Sequence, residues 1–154
     1  LFVCTGNTCR SPMAAALMNK IADENGISVY HFPLSPIKSM SVPGSIGIDA
    51  DMLETTRDEK ELLAHELGHC MRNAFYTGRS DFQLRGQCEE KANKWEVETL
   101  IPFDELEIAL KDGCCEKWEI AEYFDVPETV VELASKLYED RLIKLRAEQT
   151  DYWD

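Results

Sequence analysis

His65-Glu66-Leu67-Gly68-His69 decides how this sequence is read, and it takes two of the three histidines in 154 residues. On a helix, positions four apart share one face, so the two imidazoles can converge on a single metal ion. Glu66 sits beside them, placed to handle the protons of an attacking water. That is the zinc hydrolase arrangement, with zinc as Lewis acid and the glutamate as general base. The competing reading is a surface helix that carries two histidines and a glutamate by chance, and the flanking sequence argues against it.

Thr56-Arg57-Asp58-Glu59 has capping-box spacing and predicts a helix from there to about Met71, with Leu62, Leu63 and Leu67 available for burial. The histidines then lie on the last turns of a well-specified helix. Upstream, residues 1–3 read as the end of a strand and 4–10 as a loop. A helix is predicted from Ser11-Pro12 through residues 13–24, stopped by Gly26. Residues 28–34 have strand character. Residues 38–42 and 45–49 are short strand candidates around the turn residues Pro43-Gly44. Downstream, 73–83 reads as a loop and 87–100 as a helix that stops before Pro102. Two or three short helices follow, with a longer one from near Pro127. There are no internal repeats.

One ordinary domain fits this length. A net charge of −13 argues against nonspecific binding to DNA or to an anionic membrane, but not against a protein substrate with a basic segment. No apolar run approaches a membrane span, and no secretory signal pattern is visible. The missing initiator Met fits trimming upstream. The cysteines at 4, 9, 70, 88, 114 and 115 form no Cys-x-x-Cys pair, so reduced thiols and a cytoplasmic location are expected.

Zinc hydrolases usually supply three protein ligands and leave one position open. His31 lies in a strand far upstream and reads as a partly exposed strand residue. The extended motif with a third histidine is absent, because Arg72 and Phe75 occupy its diagnostic places. A carboxylate on another element is therefore expected, and Glu89 is the first candidate. Glu89, Asn93 and Glu96 share one face of the 87–100 helix, and Asn93 could orient a ligand or hold the two helices in register. The rival Glu90 shares its stripe with Lys94, as in an ordinary solvated ion pair. Cys70 and Cys88 read as small buried hydrophobes.

Ala64-His65-Glu66-Leu67-Gly68-His69, then Glu89-Glu90-Lys91-Ala92-Asn93-Lys94-Trp95, then Leu100-Ile101-Pro102 resemble the ImmA/IrrE metallopeptidases. The resemblance runs over about 19–138. The family's second motif has a glutamate three residues before Ala-Asn, which falls on Glu89. The sequence departs from the commoner form with Trp95 in place of Phe and Glu96 in place of Ala. The resemblance implies an α+β, zincin-like fold, with a small sheet packed on an active-site helix and a helical C-terminal part. It implies zinc on His65, His69 and Glu89, and Glu66 as general base. The implied partner is a protein substrate, a helix-turn-helix repressor of a phage or mobile element, with no direct nucleic acid binding and no membrane. Tyr76 and Arg72 are both left open as oxyanion donors. The strand at 45–49 is a candidate for aligning an extended substrate by edge pairing.

Residues 118–124, a turn at Asp125-Val126-Pro127, and 128–137 resemble a helix-turn-helix pair. Ile120, Ala121, Phe124, Val130, Val131, Ala134 and Leu137 are its expected apolar face. A DNA reader needs phosphate-neutralising Lys and Arg, yet Glu116, Glu119, Glu122, Asp125, Glu128 and Glu132 dominate. Packing or protein recognition is the expected role. Residues 139–154 are expected to form a helical or frayed tail.

A second motif conflicts with the first. Cys4-Thr5-Gly6-Asn7-Thr8-Cys9-Arg10-Ser11 fits a Cys-x5-Arg phosphate loop, with backbone N–H groups aimed at a phosphate and a helix following. Cys4 would be the thiolate nucleophile, and Arg10 would grip the phosphate. Residues 1–15 resemble the start of low-molecular-weight protein tyrosine phosphatases. Those enzymes need a parallel sheet and an Asp-Pro general acid near the C-terminus. Here the prolines follow Ser11, Phe32, Ser35, Val42, Ile101 and Val126, so no Asp-Pro exists. Residues 1–18 are therefore expected to be a fused or remnant phosphatase-like segment ahead of a metallopeptidase domain at 19–138, the first resemblance fading near Asn19-Lys20. Three function classes stand: a metallopeptidase, a phosphatase using Cys4 and Arg10, and a non-catalytic interaction module.

Overall fold

A computed structural model describes residues 12–143; Cys4, Arg10, Ser11, the expected strand at 1–3 and the tail from 144 lie outside the described residues. The architecture is α+β, with one three-stranded sheet among mainly helical elements. The chain divides into two compact units, Leu1–Glu96 and Val97–Asp154.

In the first unit, α1 (Pro12–Glu24) buries Met18 and Ala22 completely. It packs against α2 (Thr56–Met71), the helix that carries both histidines. Gly26 takes φ +67, a left-handed conformation that suits glycine, and Ile27 N–H closes the helix end on Ala22 O at 2.9 Å. The chain then enters β1 (Ser28–His31), shorter than the 28–34 expected. The hairpin β2 (Ser39–Val42) and β3 (Ser45–Ile48) turns through Gly44 at φ +80.

The strand order is β1-β3-β2, with β1 parallel and β2 antiparallel to β3. The strand proposed from sequence to align a substrate, at 45–49, is therefore the central one. Both its edges are already hydrogen-bonded, and β2 is the strand left at the edge beside α2. Ile46 and Ile48 of β3 are fully buried, and β2 and β3 both pack on α2. Asp49, itself buried, accepts from Leu34 N–H at 2.7 Å and Asp51 N–H at 3.2 Å, tying the loop after β1 to the end of β3.

The capping box of α2 is real but sits one residue earlier than expected. Thr55 Oγ1 accepts from Asp58 N–H at 3.1 Å, and Asp58 Oδ2 accepts from Thr55 N–H at 2.8 Å. The next helix, α3 (Phe82–Leu100), starts five residues ahead of the predicted 87. Asp81 explains the difference: its Oδ1 accepts from Leu84 N–H at 2.7 Å, an N-cap bond worth about 1 kcal/mol. That offsets the cost of about 1 kcal/mol for Gly86 inside the helix.

The second unit holds the last turn of α3, then α4 (Phe103–Lys111), α5 (Lys117–Phe124) and α6 (Glu128–Leu137), with residues 139–143 again helical. Between α5 and α6, Asp125 adopts φ 51, and Val126 N–H bonds back to Ala121 O at 2.9 Å. Ile120, Ala121, Phe124, Val126, Val130, Val131 and Ala134 form the buried face. Leu137, expected there, is 39% exposed, and Tyr138 is buried instead. Its hydroxyl donates to Ile101 O at 3.0 Å, a bond open to tyrosine and not to leucine. Among the described residues no helix is long and apolar enough to cross a membrane.

Candidate metal centre

Helical spacing on α2 brings His65 Nε2 and His69 Nε2 within 3.2 Å of each other. Glu89, on the second turn of α3, reaches both: its Oε2 lies 3.2 Å from His65 Nε2 and its Oε1 3.4 Å from His69 Nε2. Among the described residues these three form a group able to hold a metal ion, with donor atoms all within 4.8 Å of one another.

The outer nitrogens of the two rings decide what the group can bind. His69 Nδ1 faces Ala74 O at 2.7 Å, and a carbonyl only accepts, so Nδ1 carries the proton and Nε2 a lone pair. His65 Nδ1 faces Glu96 Oε2 at 3.1 Å, and with that carboxylate ionised the same logic leaves its Nε2 as a lone pair. Two imidazole lone pairs and two carboxylate oxygens then point at one another. Such a set repels itself unless a cation lies among its members, so the residues fit a metal ion.

Charges around His65 point the same way. Burial acts to lower its pKa, but the hydrogen bond to Glu96 and the charges of Glu96, Glu89 and Glu66 outweigh it and raise it above the ordinary imidazole value. The carboxylates that raise it would also favour a metal cation at this place. Glu96 is also raised, by burial first, with the hydrogen bond and charge of His65 acting against it.

Glu66 is buried, and its Oε1 accepts from Ser39 Oγ of β2 at 2.6 Å. Tyr76, from the loop after α2, donates its hydroxyl to Glu89 Oε1 at 2.6 Å. That bond, then burial and the nearby carboxylates, push its pKa up to about 12, so it remains a protonated donor. A cleft of about 550 Å³ opens over these groups, lined by β2 from Ser39 to Val42 and by Leu62, Phe75 and Tyr76. This size falls within the range of about 300–1,000 Å³ common for ligand sites.

Other candidates lie elsewhere. His31, at the end of β1, pairs with Glu59 Oε1 at 3.2 Å. Arg72 caps the C-terminus of α2 and does not line the cleft. Cys88 is buried with its thiol toward Phe75 O. Burial pushes the Cys70 thiol up to about 11, against thiolate ligation at neutral pH. Asn93 is half-buried, and Glu96 on the same helix meets the outer nitrogen of His65. Ser39 carries no motif signal of its own, and Glu96, which sequence places on the face of Glu89 and Asn93, shows its partner only in the tertiary contact.

Gly68 sets how closely α3 approaches. A Cβ there would lie 2.6 Å from Ala92 O and 2.9 Å from Ala92 Cα, a backbone contact that cannot yield without moving a helix. Gly68→Ala gains about 1 kcal/mol in helix propensity but incurs overpacking of about 1–3 kcal/mol and displaces the helix bearing Glu89. We expect a lower thermal midpoint and weakened metal binding, read by thermal melts and chelator competition. Unchanged values in both would refute this role for Gly68.

Known proteins match the chain in two overlapping places. Residues 1–33 match the low molecular weight phosphotyrosine protein phosphatase family, reaching past the point near residue 20 where that resemblance was expected to fade. Within that stretch, a protein-arginine-phosphatase of Bacillus subtilis (strain 168) is 66% identical over 29 residues, which cover 19% of this chain and 19% of that relative. No solved structure matches the chain. The larger match, residues 22–136, holds α2, α3 and every member of the metal group, and it places the chain in the IrrE N-terminal-like domain family.

Proposed function

We propose that this protein is a zinc-dependent endopeptidase with a zincin-like fold, acting in the cytoplasm on a helix-turn-helix repressor of a phage or mobile element. The family supports a metallopeptidase at the coarser level. The observation that carries the reading is the convergence of His65, His69 and Glu89 beside a buried glutamate, at the floor of an open cleft. Bound zinc supplies Lewis acidity, lowering the pKa of a water toward about 7 and polarising the scissile carbonyl.

The chain's own residues do the rest. Ser39 Oγ–H occupies Oε1 of Glu66, which leaves Oε2 for the proton of the attacking water. Glu66 takes that proton and returns it to the leaving amine. Tyr76 is the hydroxyl donor nearest the metal ligands, which favours it over Arg72 for the developing oxyanion. An extended substrate is expected to pair with the edge strand β2, which lines the cleft, and not with β3.

The phosphatase-like start is best explained as a fused segment whose helix now serves the peptidase unit. α1 lies wholly within the phosphatase match, yet it buries Met18 and Ala22 and packs on α2.

The test is incubation of the zinc-loaded chain with purified helix-turn-helix repressors encoded beside its gene, followed by mass spectrometry. Cleavage at one bond, blocked by a chelator, is expected. Intact repressors, together with hydrolysis of a phosphate monoester that Cys4→Ser abolishes, would replace this reading with the phosphatase one.

A further inference from the structure

We propose that Glu96 is a positioning residue of the metal centre: its carboxylate holds His65 with Nδ1 protonated and Nε2 turned to the metal, and so strengthens metal binding. The inference rests on the metal-centre reading above and adds to it a residue outside the ligand set.

Glu96 follows Glu89 by seven residues on α3, so both lie on one stripe facing α2. Glu89 meets the inner nitrogens of the histidines, while Glu96 Oε2 meets the outer nitrogen of His65 at 3.1 Å. The two histidines are thus held differently. His69 is oriented by a backbone carbonyl, Ala74 O at 2.7 Å, and His65 by a buried carboxylate. A carboxylate behind a ligating imidazole fixes its tautomer and raises its basicity as a donor.

The cost of this arrangement identifies its purpose. Glu96 is 1% exposed, and its Oε1 has no hydrogen-bond partner, the one such buried side-chain atom among the described residues. A carboxylate half-satisfied in the interior is a poor packing element, and apolar side chains of similar volume commonly do as well or better in such places. Packing alone gives no reason for a glutamate here. The bond to His65 does.

Zinc affinity, measured by chelator competition at one fixed pH, and the thermal midpoint of the metal-free protein test this together. Glu96→Leu is expected to bind zinc about 10- to 100-fold more weakly, with a metal-free midpoint equal to or above that of the parent. Glu96→Gln, which keeps the hydrogen bond but not the charge, is expected near the lower end of that loss, and it covers the case in which the leucine variant misfolds. Nitrogen NMR of the loaded parent should show His65 protonated at Nδ1. A purely structural role would lower the midpoint and leave the affinity of any folded variant unchanged. Affinities of both variants within twofold of the parent would overturn the proposal while leaving the metal site standing. A parent that binds no stoichiometric zinc would overturn both.

Discussion

Glu66→Gln should leave zinc in place and reduce kcat for repressor cleavage by about 100- to 10,000-fold, the usual contribution of a positioned general base. Glutamine has nearly the same shape, and its amide oxygen can still accept the hydroxyl of Ser39, now 2.6 Å from Glu66 Oε1. The buried side chain therefore keeps its place. What it loses is the ability to accept a proton from water. Glu66 belongs to neither the imidazole pair nor its outer contacts, so metal content should not follow activity. Metal analysis beside kcat measurement separates the two quantities. Activity within tenfold of the parent would remove Glu66 from the mechanism.

His69→Ala acts on the other quantity and on folding as well. Alanine leaves only His65 and Glu89 as donors, fewer than the three that zinc hydrolases usually supply. It also strips Ala74 O of the Nδ1–H that now lies 2.7 Å away in a buried setting, at a cost of about 1–3 kcal/mol. Stoichiometric zinc should be lost, by more than the roughly 10- to 100-fold expected for an outer contact. The metal-free midpoint should fall too. Cys88→Ala is the contrast: it removes a nearby sulfur and should leave zinc content unchanged. Retention of zinc by His69→Ala would remove it from the ligand set.

Much of the site was legible because its signals are local. Helix periodicity alone aligns His65 with His69, and the family resemblance selects Glu89 from several acidic residues on a helix. Gly68 was not legible from sequence: Gly86 is also inside a helix with open space around it, and only Gly68 meets a neighbouring backbone, at Ala92. The start of α3 was misjudged because Gly86 weakens the helical pattern, while Asp81 supplies a cap whose strength shows only once its side chain is placed. The strand at 45–49 was misassigned as an edge because strand order is a nonlocal property. Nothing in residues 39–48 shows which strand pairs twice. Glu96 escaped for a related reason. Helical spacing puts it on the face of Glu89 and Asn93, but only packing against His65 reveals it as buried and gives it a partner.

The central claim is that His65, His69 and Glu89 hold the metal, and X-ray absorption at the zinc edge of the zinc-loaded protein addresses it directly. The expected spectrum has nitrogen and oxygen donors at about 2.0–2.2 Å, including two imidazoles, and His69→Ala, having lost the zinc, gives no such signal. A sulfur shell at about 2.3 Å would contradict it, moving the metal from these side chains to the cysteines.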